Sequence, residues 1–177
     1  MKNLICMLLA MVTLFVLPSC QDNRKARNYN SKTLVDGGGI TFIKSGIEGG
    51  LTEIKAAKIA ETNSKNPDII NFAKMMIADH TKAGDELKKI ESDKYVTGGD
   101  TVSGDHQKMI AQLATKTGTD FDRLYIQTMV LDHEAAVRLF TEATNDKSAT
   151  IKNFAAKTLP TLKMHLNSAK DICARLK

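Results

Sequence analysis

The chain has 177 residues, with 25 Lys and Arg against 20 Asp and Glu, a formal net charge of +5 and a pI near 9.1. Hydrophobic residues make up 42%, enough for a real core, while aromatics are only 5% and Trp is absent. The basic residues are interspersed with acidic ones and form no run interleaved with aromatics, which argues against nucleic-acid binding. Few prolines and few β-branched runs point to one all-helical domain.

The first twenty residues, "MKNLICMLLAMVTLFVLPSC", read apart from the rest. One Lys precedes an apolar run from Leu4 to Leu17, followed by Pro18, Ser19 and Cys20. A short positive start and an apolar stretch of about 14 residues describe a secretory signal peptide, and a membrane span needs about 20. The ending "LPSC" resembles the lipobox of bacterial lipoproteins. Residues 1–19 are therefore expected to be removed, and Cys20 to become the lipidated first residue. Residues 20–37 are polar and charged and read as a tether; the domain follows over 38–177. Gln21 rather than Asp after Cys20 favours, by analogy with enteric lipoproteins, the outer membrane. Cys6 would be lost and Cys20 acylated, leaving Cys173 alone, so no internal disulfide is expected.

Four long amphipathic segments follow Gly37-Gly38-Gly39. The first spans about Ile40 to Thr62. The second starts with Pro67 in its first turn and runs to about Lys94. "YVTGGDTVSG" breaks the chain, and a short helix covers about Asp105 to Lys116. The third long helix, capped by Thr119 or Asp120, ends near Thr144, and the fourth runs to the C-terminus. Apolar residues repeat with 4-3 spacing: Ile69, Ala73, Met76, Ala83, Leu87 and Ile90 in the second, Ile126, Met129, Ala136 and Phe140 in the third, Ile151, Ala155, Leu162, Ala169 and Ile172 in the fourth. In the first helix the stripe is of small residues, Gly46, Gly49, Ala56 and Ala60. The segment between Tyr95 and Gly118 is long enough to cross the length of a 26-residue helix, about 39 Å. The expected fold is a ferritin-like four-helix bundle with a crossover containing a short extra helix; an up-down-up-down bundle is the alternative.

Each long helix carries one metal-ligand type of residue on its inward stripe: Glu53, His80, His133 and His165. Three imidazoles and a carboxylate, one per helix, form a candidate transition-metal site, with zinc or iron the first candidates. Asp79 and Asp132 each precede a histidine, in the twin stretches "MIADH" and "MVLDH". Neighbours on a helix diverge by about 100°, so neither can hold its own histidine; each is expected to accept a hydrogen bond from a histidine on another helix and fix its tautomer. The same residues equally describe a polar network that sets helix register and does no chemistry. Counted from the turns, Glu53 and His80 differ in height by about 4.5 Å, and His133 and His165 by about 9 Å. Imidazole reach absorbs the first gap more easily than the second, so a site using only some of the four stands level with the full set. Pro160 predicts a bend about one turn before His165, and His106 reads as a surface or capping residue.

No Glu-x-x-His pair exists, which argues against the usual di-iron chemistry. No Gly-x-Ser-x-Gly, P-loop, Cys-x-x-Cys or His-Glu-x-x-His occurs either, so an enzymatic reading has no motif behind it.

Three blocks, "FAKMMIADHTKAGDELKKI", "TGTDFDRLYIQTMVLDHEAAVRLF" and "AAKTLPTLKMHLNSAKDI", resemble those of bacterial domain-of-unknown-function family 4142. The matching residues are the Asp79-His80 pair, Phe121-Asp122 with Tyr125, Asp132-His133, and Leu159-Pro160 with His165, in family order. The resemblance covers about Ile40 to Lys177. It implies export and a ferritin-like bundle, and brings no established activity. The functional reading is a lipid-anchored envelope bundle with a possible metal site in its core, set against a structural or interaction lipoprotein. Its partners would be the membrane, through Cys20, and an unspecified protein.

Overall fold

A computed structural model describes residues 33–176. The signal peptide, Cys20 and most of the tether lie outside the described residues. Five helices follow one another: α1 (Gly37–Asn63), α2 (Pro67–Asp93), α3 (Gly104–Ala114), α4 (Gly118–Ala143) and α5 (Ala149–Arg175). Among the described residues there is no strand, and no helix is long and apolar enough to cross a membrane.

Local chemistry sets the ends. The triple glycine was expected to precede the first helix, yet α1 begins at Gly37, because Asp36 caps it and its carboxylate accepts from the Gly39 amide at 3.1 Å. Asn66 caps α2 in the same way, with Pro67 at the first turn. Helix α2 ends in a Schellman arrangement: Val96 N–H donates to the Glu91 carbonyl and Tyr95 N–H to that of Ser92, with Tyr95 at a left-handed φ of 54°. Helix α4 starts after Thr117, which makes no side-chain cap, instead of at Thr119 or Asp120. Helix α5 continues unbroken through Pro160.

Cross-helix hydrogen bonds fix the topology. The Leu34 amide, just before α1, donates to the Lys94 carbonyl at the end of α2, so α1 and α2 are antiparallel. Arg123 near the start of α4 donates to the Leu176 carbonyl beyond α5, making α4 and α5 antiparallel. Arg175 at the end of α5 pairs with Asp68 at the start of α2, and Asn63 at the end of α1 donates to the Lys116 carbonyl just before α4. Helices α2 and α4 therefore start at the same end and run parallel. The chain between them must travel the length of the bundle, and α3, packed on α1 and α4, is part of that crossover. This is the ferritin-like arrangement.

The interior holds two apolar cores. One gathers Ala56, Ala57, Ile69, Phe72, Met76, Phe121, Tyr125, Ile126, Met129 and Ala169. The other gathers Phe42, Ile43, Ile47, Leu87, Phe140, Ile151, Phe154 and Leu162. Along every long helix, the residue lying between its two sets of core positions is polar: Glu53, His80, His133 or His165. Gly46 permits close packing, since a Cβ there would meet the Leu87 side chain at 2.7 Å. Gly49 and Gly84 have no such reason, as a Cβ at either meets nothing within 4 Å. Each interior helix glycine costs about 0.5–1 kcal/mol relative to Ala.

Phe42 joins three helices through edge contacts with Phe140, at 4.9 Å between centroids, and Phe154, at 6.2 Å. Phe42→Ala should cost about 3–5 kcal/mol, read as a drop in the urea midpoint with little change in slope. A loss under about 1 kcal/mol would mean that this core collapses around the gap.

Candidate metal centre

The four inward residues meet. The rings of His80, His133 and His165 pack against one another edge-on or tilted, with centroids 5.6 Å, 5.3 Å and 5.4 Å apart pairwise. All three are buried, and Glu53 is 4% exposed beside them. The height gaps close because side chains on a helix lean towards its N-terminus. In an antiparallel pair those leans are opposed. His133 and His165 lean towards each other along the bundle axis, as do Glu53 and His80.

Hydrogen bonds define the protonation of each ring. His80 donates from Nδ1 to Glu53 Oε2 at 3.0 Å. His133 Nδ1 faces two acceptors, the Met129 carbonyl at 2.9 Å and Glu53 Oε1 at 3.1 Å, and so must carry its proton. His165 donates from Nε2 to Asp79 Oδ2 at 2.9 Å, across from α5 to α2. In the neutral rings the lone pairs are left on His80 Nε2, His133 Nε2 and His165 Nδ1. These are the three imidazole atoms that are buried with no partner. One nitrogen from each ring lies within 4.8 Å of the other two. A tetrahedral ion with bonds of about 2.1 Å needs donors about 3.4 Å apart, so the rings would draw inward on loading.

Glu53 stands behind two imidazoles and turns both its oxygens to their N–H groups, where a fourth metal donor had been expected. Asp79 fills the expected place behind a histidine of another helix. Asp132 does not: no histidine reaches it, and its Oδ2 is buried without a partner. One residue before His133, it faces about 100° away from that ring, towards the side where the His106 and Glu48 charges act on it.

Burial works against ionising Glu53, but the nearby His80 and His133 outweigh it and hold its pKa at about 2. Burial also opposes a charge on His80, yet the Glu53 carboxylate pulls its pKa above the ordinary value. His133 and His165 are held below theirs, first of all by burial. Asp132 is raised to about 6 by burial and by the Glu53 charge.

A second polar cluster lies on the α3 side. Glu48 Oε1 accepts from the Ser103 amide at 2.8 Å and from His106 Nδ1 at 2.7 Å, so His106, expected as a surface or capping residue and still 34% exposed, also ties α3 to α1. The sequence reading missed Glu48 because it lies off the inward stripe, and only the docking of α3 gives it a role. Both clusters open onto one cavity of about 320 Å³, lined by Glu48, Glu53, Asp79, His80, His106, Asp132 and His165 among others.

Residues 26–172 match the family described as "Domain of unknown function (DUF4142)", which covers most of the chain and makes it a member. The resemblance carried by the three sequence blocks therefore holds. A comparison with curated proteins finds no match. Two solved structures share the fold. A DUF305 fragment from Deinococcus radiodurans aligns with a TM-score of 0.71 at 13% identity, over 80% of this chain and 98% of that one. CopM in its Cu(II)-bound form aligns with a TM-score of 0.67 at 18% identity, over 78% of this chain and 97% of that one.

The shifts set a pH dependence for the metal-free protein. His133 and His165 have folded values below the ordinary 6.5, so their contribution is complete above about 6.5 and is lost as pH falls. His80 acts oppositely: its contribution is complete below about 6.5 and is lost as pH rises through its raised folded value. Glu53, depressed from 4.5 to about 2, contributes above about 4.5 and loses that as pH falls towards 2. Below about pH 6.5 the His80 contribution is complete while those of His133 and His165 are being lost, so thermal stability should fall as pH drops from about 6.5, and fall less in His165→Gln. A flat profile in the parent chain would show that the rings take up protons as freely folded as unfolded.

Proposed function

We propose, from the premise that this chain is a DUF4142 protein, that it is a lipid-anchored envelope bundle that binds one late first-row transition-metal ion in its core. The observation that supports this most is the set of three buried imidazole nitrogens, each without a partner, each on a ring whose other nitrogen is already committed. A buried polar atom left unpaired costs about 1–3 kcal/mol. Three of them on neighbouring rings are costly for a purely structural network and are explained if a cation takes all three lone pairs. Glu53 and Asp79 would orient the rings and raise their basicity.

The donor set bears on the metal. Three neutral imidazoles suit zinc and copper, and copper binds such nitrogen sites most tightly among the divalent first-row ions. Iron, one of the two first candidates, loses ground because Glu53 is engaged by two N–H groups, so no carboxylate donor is left for a His-and-carboxylate site. The Cu(II)-bound state of a protein with the same fold is compatible with copper here. Holding or buffering such an ion at the envelope requires no reaction, in keeping with the lack of a nucleophile motif. Sequence features alone support the anchor on Cys20 and an outer-membrane location.

The metal reading is tested by elemental analysis of the chain purified without a histidine tag or chelator, with melting curves in added zinc, copper, iron and manganese. About one ion per chain is expected, with stabilisation of about 2.7 kcal/mol at a hundred times Kd. The double variant His80→Ala, His133→Ala should lose the metal-dependent rise entirely. Metal uptake unchanged in that variant would sink the proposal, and no uptake by the parent would leave a network that only sets the fold. For the anchor, Cys20→Ala should abolish incorporation of labelled palmitate and release the protein from the membrane fraction; retained labelling would refute it.

A further inference from the structure

The cavity of about 320 Å³ reaches from the surface to the three-histidine centre. His80 and His165 line it, at 7% and 1% exposed, and each carries a nitrogen without a partner. Leu87, Leu139, Phe140, Phe154 and Leu162 give it an apolar lining as well. Its volume equals that of about ten waters, within the usual range for small-molecule pockets.

Two features indicate that this space is kept open. Gly49 and Gly84 lie inside helices, line the cavity and meet nothing where a Cβ would stand. Close packing therefore does not explain these two helix-weakening residues; room does. The polar part of the lining is one-sided in charge: it includes Glu48, Glu53, Asp79 and Asp132, and no Lys or Arg among the described residues. An anionic ligand would enter a lining whose carboxylates are of its own sign. A neutral donor would face no such repulsion, and an apolar body would find the Phe and Leu walls.

We propose that the centre is an open one, whose exchangeable position takes a small organic molecule with a neutral nitrogen donor and an apolar body. This rests on the metal reading above. Three protein donors leave a divalent ion one position short of tetrahedral, and the cavity lies on the side of His80 and His165. Exclusion of carboxylates follows from the four acidic residues. Selection for an apolar body follows from the walls.

The experiment uses the purified mature chain loaded with Co²⁺, whose visible absorption reports its coordination, titrated with imidazole, N-butylimidazole and hexanoate. The band should shift with N-butylimidazole at a half-saturation at least about tenfold below that of imidazole, since the butyl group transfers to an apolar wall. Hexanoate should leave the band unmoved. In Gly49→Leu, Gly84→Leu the butyl advantage should vanish while the cobalt band itself stays. Equal half-saturation for the two imidazoles, tight binding of hexanoate, or an advantage that survives in the filled variant would overturn this inference alone. Failure of the chain to develop a cobalt band would overturn the metal reading and this inference with it.

Discussion

Glu53 is an ionised carboxylate held almost out of contact with water, and the middle of the bundle is arranged around that fact. A buried charge is expensive unless it is hydrogen-bonded. Here the two oxygens take N–H groups from α2 and α4, which fixes the heights of three helices against one another. A slip of one turn in any of them would leave the carboxylate unpaired. Asp79 adds the fourth helix through His165. Register is thus set by polar geometry in a thin layer, while the two apolar cores on either side supply the adhesion.

The same hydrogen bonds make the layer chemically incomplete. Satisfying Glu53 and Asp79 uses one nitrogen of each ring and leaves the other buried without a partner, in three rings that pack against one another. A purely structural network would gain by pairing those atoms, and three unpartnered imidazole nitrogens in one layer are the feature that a network alone does not explain. Architecture and metal chemistry are therefore not rival accounts of these residues. The acids that set the register would also orient the rings as donors under the metal reading proposed above.

Much of this was legible in the residues. The 4-3 spacing marked one polar residue per inward stripe, and the absence of Glu-x-x-His pairs separated the chain from di-iron bundles. The apparent 9 Å mismatch between His133 and His165 came from counting Cα heights alone; the N-terminal lean of helical side chains, a general property, removes it. Glu53 was identified as inward but not as an acceptor, because periodicity tells which way a residue faces and not which atom its neighbour presents. The pairing of Glu48 with His106, a residue read as surface or capping, was missed for a different reason. Their meeting depends on where a short crossover helix docks, and nothing in α1 or α3 taken singly encodes it. The start of α1 was misplaced because three glycines suggest a break, whereas one capping aspartate outweighs them.

The crossover has a consequence for how the molecule comes together. Helices α1 and α2 form one antiparallel hairpin and α4 and α5 another, each closed by a short turn and quick to assemble from local contacts. Glu53 and His80 belong to the first hairpin, His133 and His165 to the second. Neither half owns a complete triad, and the polar layer exists only once the halves have docked across their broad faces. An ion held there would act as a rivet between two independently collapsing pieces, placed at the seam where a partly folded chain would part first.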